Sequence, residues 1–148
     1  MDSNVVRQRY RTSNPYEEKF GYSRAVRRGP FIFVSGTTSI DPETGKILHP
    51  TSAYRQTLTI FLEILRALAG LAASKDDVVR LRMFVTAPED AQDVGRALKE
   101  VFGDVQPAAT MIIGSKFVEP EMRVEIEADA VVILVRTTEY PNSSSTEE

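Results

Sequence analysis

The chain has 148 residues, 42% of them hydrophobic and 26% charged, which is the range of one soluble domain large enough to bury its own core. It has no cysteine and a single histidine, His49, so disulfides, thiolate catalysis, zinc–cysteine sites and multi-histidine sites within one chain are excluded. A formal net charge of −3 argues against a general nucleic-acid binder, which needs a basic face. No apolar run reaches the roughly 18 residues of a membrane span, and the N-terminus carries no apolar signal-peptide core. These features set the expected location as the cytoplasm. Arg7, Arg9 and Arg11 keep a mitochondrial transit segment in view, with Asp2 and the short length counting against it.

In chain order, residues 1–13 show no periodicity and read as a flexible segment ahead of a domain over 14–136. Residues 22–28 and 31–35 read as strands, the second ending at Gly36. Asp41-Pro-Glu-Thr-Gly45 is a turn. Residues 52–70 change to a helical period. Tyr54, Leu58, Phe61, Leu62, Leu65, Leu68 and Ala69 form its apolar stripe, Ser52 is the expected N-cap, and Gly70 the expected C-cap. Residues 78–85 read as a strand, 89–102 as a helix closed by Gly103, and 110–118 and 122–135 as two further strands. Residues 137–148 are polar and acidic and read as a disordered tail.

The order β-β-α-β-α-β-β gives an α+β class, a single mixed sheet with two helices on one face. That leaves the other face bare. It would carry Phe31, Phe33, Phe84, Val131 and Ile133 beside Arg123, Glu125, Glu127 and Asp129, because Val124, Ile126, Ala128, Ala130 and Val132 alternate with the charges. Soluble monomers seldom expose such a patch, so association through the sheet face is expected.

Six short stretches occur in order: Gly21-Tyr-Ser-Arg-Ala25, Phe33-Val-Ser-Gly-Thr37, Asp41-Pro-Glu-Thr-Gly45, Asp77-Val-Val-Arg-Leu-Arg-Met-Phe-Val85, Gln106-Pro-Ala108 and Val124-Glu-Ile-Glu-Ala128. Together they resemble the Rid family, also called YjgF or L-PSP, over about residues 14–135. The resemblance implies a chorismate-mutase-like fold and a homotrimeric barrel with small-molecule ligands in the clefts between subunits. It also implies enamine/imine deaminase chemistry without a cofactor or metal.

In the deaminases of that family an arginine after the Pro-Ala pair grips the substrate carboxylate. Here that position is Ala109, followed by Thr110, and a helix asparagine of the pocket corresponds to Gly95. Three positions match the family: Tyr22, Ser35 and Glu125. The resemblance makes Glu125 and Tyr22 the proton-transfer candidates, with Ser35, Gly36, Arg24, Ala109 and Thr110 lining the substrate. Arg24 has two readings, a replacement for the missing arginine or a solvated surface residue. Glu127 reads as an ion-pair partner of Arg80 or Arg82, a role also open to Glu125. His49 is not expected to be catalytic.

The first functional reading is a hydrolase or tautomerase-like enzyme on an enamine, imine or enol-like compound. The second is a non-catalytic trimeric binding or regulatory protein. The endoribonuclease activity ascribed to some family members comes third, weakened by the acidic balance and the lack of an aromatic-basic stripe.

Overall fold

The computed structural model describes residues 7–133. Six strands form one sheet in the order β1-β2-β3-β6-β4-β5. They are β1 (Gln8–Tyr10), β2 (Ala25–Arg28), β3 (Phe31–Thr37), β4 (Val78–Val85), β5 (Ala108–Ile113) and β6 (Val124–Val131). Helix α1 (Pro15–Phe20) precedes β2, α2 (Ala53–Gly70) links β3 to β4, and α3 (Ala91–Phe102) links β4 to β5. Only β4 and β5 pair in parallel, and α3 is the crossover such a pair requires. The α+β class and the single mixed sheet agree with the sequence reading.

One face of the sheet meets α2 and α3. Ile32, Val34, Leu81, Met83, Val124, Ile126 and Ala128 are buried there against Ile60, Phe61, Ile64, Ala97 and Phe102. Phe61 and Phe102 join the two helices edge to face, with ring centroids 5.0 Å apart. The strict alternation of β6 is what sends its apolar residues into this core and its carboxylates outward.

Several details depart from the sequence reading. Within the segment read as loose, Gln8–Tyr10 pair with β2, Arg9 opposite Val26. An edge strand needs only one partner and exposes most of its side chains, so its polar composition hid it. A third helix, α1, was also missed. Asn14 caps it by accepting from the Tyr16 amide at 3.0 Å, Pro15 starts it, and Gly21 closes it at φ 74°. The acidic tail at 137–148 lies outside the described residues.

The apolar stripe of α2 is rotated from the expected one. Its buried side is Ala53, Gln56, Thr57, Ile60, Phe61, Ile64, Ala67 and Leu68, while Leu62 is half exposed. Gln56 faces inward because its amide is fully used: it donates to the Glu121 carbonyl at 2.9 Å and accepts from the Arg123 amide at 2.9 Å. The N-cap is Ser52 as expected, accepting from the Arg55 amide. The C-cap is Leu71 and not Gly70. Gly70 is small for another reason: the Tyr10 ring lies on it, and a methyl group there would stand 2.5 Å from Tyr10 Cδ2.

Candidate functional site

The uncovered sheet face carries the expected mixture. Phe31 and Phe33 on β3 and Ile112 on β5 are about half exposed, and Val131 ends β6. Arg82 on β4 holds both Glu127 (3.1 Å) and Asp129 (3.4 Å), so these two carboxylates are structural partners, as the ion-pair reading of Glu127 anticipated.

Glu125 is different. Among the described residues it makes no hydrogen bond or ion pair. Its carboxylate lies over Gly36, where any Cβ would overlap Oε1. The β3–β6 ladder is irregular between Val34 and Thr37, leaving Ser35 and Gly36 in a bulge beside Glu125. Burial raises the Glu125 carboxyl above the ordinary carboxylate value. The Arg24 guanidinium pulls it back down, and Glu127 pushes it up.

Arg24 is neither solvated nor free. It is 4% exposed, donating to Thr37 Oγ1 and to the Tyr22 hydroxyl at 3.4 Å each, with its guanidinium 5.6 Å from the centre of the Tyr22 ring. Its Nε lies 3.9 Å from a carboxylate oxygen of Glu17, which is itself fully buried. Glu17 also accepts from the Thr12 amide at 2.9 Å and from the Thr12 hydroxyl. Arg24 is therefore the counter-ion of a buried carboxylate and the link between α1 and the sheet. Removing Glu17 would strand that cation. Glu17→Ala is expected to cost about 2–4 kcal/mol in a urea melt, and a loss below about 0.5 kcal/mol would show that the network does not hold the fold.

Ser35 is held by the segment just ahead of β2: its amide donates to the Arg24 carbonyl at 2.9 Å and its hydroxyl to the Ser23 carbonyl at 2.7 Å. One chain thus gathers Tyr22, Arg24, Ser35, Gly36 and Glu125. It does not bring Ala109 and Thr110 to them. Glu125 is in register with Phe84, and Phe84 with Ile112, so β5 stands two strand spacings away, about 10 Å. Thr110 shares the bare face with Arg82, while Ala109, in register with Leu81, points the other way. Gly95 lines a separate groove of about 290 Å³ beside Lys99, Phe102 and Pro107. His49 is exposed in the loop before α2. Sequence reasoning missed Glu17 and Thr37, whose roles depend on contacts across the fold. Among the described residues, no helix is long and apolar enough to cross a membrane, and no group of three His, Asp or Glu is placed to hold a metal ion.

Known proteins place this arrangement. The sequence profile described as Endoribonuclease L-PSP matches residues 12–132. An uncharacterised protein of Streptomyces coelicolor is 34% identical over 131 residues, 88% of this chain and 95% of its own. A Mycobacterium tuberculosis structure described as a member of the YjgF/YER057c/UK114 family is 34% identical with a TM-score of 0.77, over 86% of this chain and 100% of that one. A Yersinia pestis structure described as a Rid-family protein of unknown function is 25% identical with a TM-score of 0.76, over the same shares. With the profile matching nearly the whole described chain and full-length relatives at 34% identity, the chain belongs to the YjgF/L-PSP/Rid family.

Proposed function

We propose that the protein is a cofactor-independent enzyme for a small enamine, imine or enol-like compound, with Glu125 as its proton-transfer group. The observation that carries this reading is the contrast on one strand. Glu127 and Asp129 are tied to Arg82, whereas Glu125 is unpaired, partly desolvated and raised in pKa over a glycine floor. A carboxylate poised in that way holds a proton more readily than a solvated one and can take it from or pass it to a bound substrate. In imine hydrolysis it takes a proton from water as the water oxygen attacks the carbon and the C=N electron pair moves to nitrogen. It returns that proton to nitrogen, giving a carbinolamine. It then takes the hydroxyl proton as C=O forms and the C–N bond breaks, and passes it to the departing amine, leaving a carbonyl compound. The Tyr22 hydroxyl and the backbone at Ser35–Gly36 orient the polar atoms of the substrate.

Three copies meeting on the bare face and around the open β5 edge would set that edge of one chain, with the exposed Ala109 and Thr110, against the Glu125 pocket of the next. This reading rests on the exposed Phe31, Phe33 and Ile112. The β5 half then offers no guanidinium, and Arg24 is engaged by Glu17. The substrate that fits is neutral, not a carboxylate. In an assay that generates 2-aminoacrylate, pyruvate release is expected to be only slightly accelerated, because losing a bidentate charged contact costs roughly two to three powers of ten. Ala109→Arg should restore part of the rate. Acceleration by the unaltered protein equal to that of an arginine-bearing relative would contradict this.

A second reading, a non-catalytic binding protein in the same clefts, is favoured by Ala109 alone. Hydrolysis of a preformed neutral aldimine, followed by loss of its ultraviolet absorbance, separates the two. Turnover that depends on Glu125 supports the enzyme. Ligand-dependent stabilisation without product supports the binder.

A further inference from the structure

A sizeable cleft lies away from Glu125. It holds about 620 Å³, between the N-terminal arm, the 41–45 turn and the outer side of α2. That is within the size range of small-molecule sites. Its arm wall is anchored at both ends. The Tyr10 ring lies on Gly70, and Thr12 is bound to the buried Glu17. A small polar recess shares Thr12, Ile40, Pro42 and Glu63 with the cleft and reaches down to Arg24. Arg24 Nε, at the end of that recess, is buried without a hydrogen-bond acceptor, its carboxylate partner Glu17 standing 3.9 Å away.

The charges around the cleft are of two kinds. Arg66 and Glu63 neutralise one another, and Asp41 accepts from the Glu43 amide at 2.9 Å. The side chains of Arg11, on the arm, and of Asp41 and Glu43, on the turn, have no ion pair among the described residues. The same cleft is lined by the apolar surfaces of Leu48 and Leu62 and by the Tyr10 ring. A cation and two carboxylates without ion pairs among the described residues, beside apolar surface in one cleft, match a molecule that carries both charges at one end of an apolar body.

We propose that this cleft is a second ligand site, taking a small zwitterion with an apolar body, its carboxylate against Arg11 and its ammonium against Glu43. The site is independent of the chemistry at Glu125, and its test reads binding, not turnover.

The probe is L-phenylalanine, titrated calorimetrically into the full chain beside 3-phenylpropionate, which lacks the ammonium, and 2-phenylethylamine, which lacks the carboxylate. Phenylalanine is expected to bind with a Kd below about 1 mM. Each truncated analogue, and the double variant Arg11→Gln/Glu43→Gln, should bind about tenfold more weakly or worse. Gly70→Ala, which displaces the Tyr10 ring, should also weaken binding. Arg11 and Glu43 are exposed, so the double variant keeps its fold. No binding at about 10 mM, equal binding of either analogue, or unchanged binding to the double variant would overturn the proposal. So would binding lost in Glu125→Gln, which would place the ligand in the other pocket.

Discussion

Glu125→Gln is expected to lower turnover by about 10²–10⁴-fold while leaving assembly intact, because it keeps the shape over Gly36 and removes only the proton-accepting charge. It should also make the protein more stable at neutral pH. The folded-state pKa of Glu125 is raised above its ordinary value of 4.5, chiefly by burial. The fold therefore prefers the neutral form, and the charged form costs stability once the pH exceeds the folded pKa. The glutamine is spared that cost. Thermal melts across pH should show its advantage at pH 7, shrinking as the pH falls through the folded pKa and absent below 4.5. If the variant instead loses its assembly while the remaining assembly keeps its specific activity, Glu125 is structural.

Phe33→Asp carries the second large effect. Phe33 is 54% exposed on the bare face and stands opposite Asp129 in the β3–β6 ladder. The substitution removes apolar surface and sets two carboxylates side by side. The unaltered protein is expected to sediment at micromolar concentration as three 16.5 kDa chains, and the variant as one. A stable monomer or dimer of the unaltered protein would contradict a barrel built from three sheets.

The same physics explains what was legible in the sequence. β6 announced itself because one face is core and the other is not, so its period of two is unbroken from Val124 to Val131. α2 was legible as a helix but not in rotation. Leucines on its outer side lengthened the apparent stripe, and Gln56 and Thr57 are buried for hydrogen bonding, which hydropathy does not register. α1 had a readable signal in Asn14-Pro15 followed by Glu17 and Glu18, the cap, the N1 proline and the acidic first turn.

The site divides in the same way. Tyr22, Ser35, Gly36 and Glu125 were named from the motifs, and the bulge at Ser35–Gly36 is what brings Glu125 over its glycine. For Arg24 the sequence offers a cleft replacement for the missing arginine or a solvated surface residue, and neither describes its place. Its burial follows from Glu17, seven residues earlier on helix α1, and no local pattern encodes that pairing. Ala109 and Thr110 sit on a strand that their own chain keeps apart from Glu125. In the proposed assembly a second copy brings them together, and a single sequence does not display its neighbours.

Mixing two inactive variants tests a cleft shared between chains most directly. Glu125→Gln disables the pocket half, and Ala109→Glu blocks the β5 half. Each alone should be inactive on the aldimine. Refolded together in equal amounts, they should recover about a quarter of the unaltered turnover, since a cleft drawing its halves at random from two chains is intact about once in four. A mixture no more active than either parent would show that both halves belong to one chain and would contradict the account.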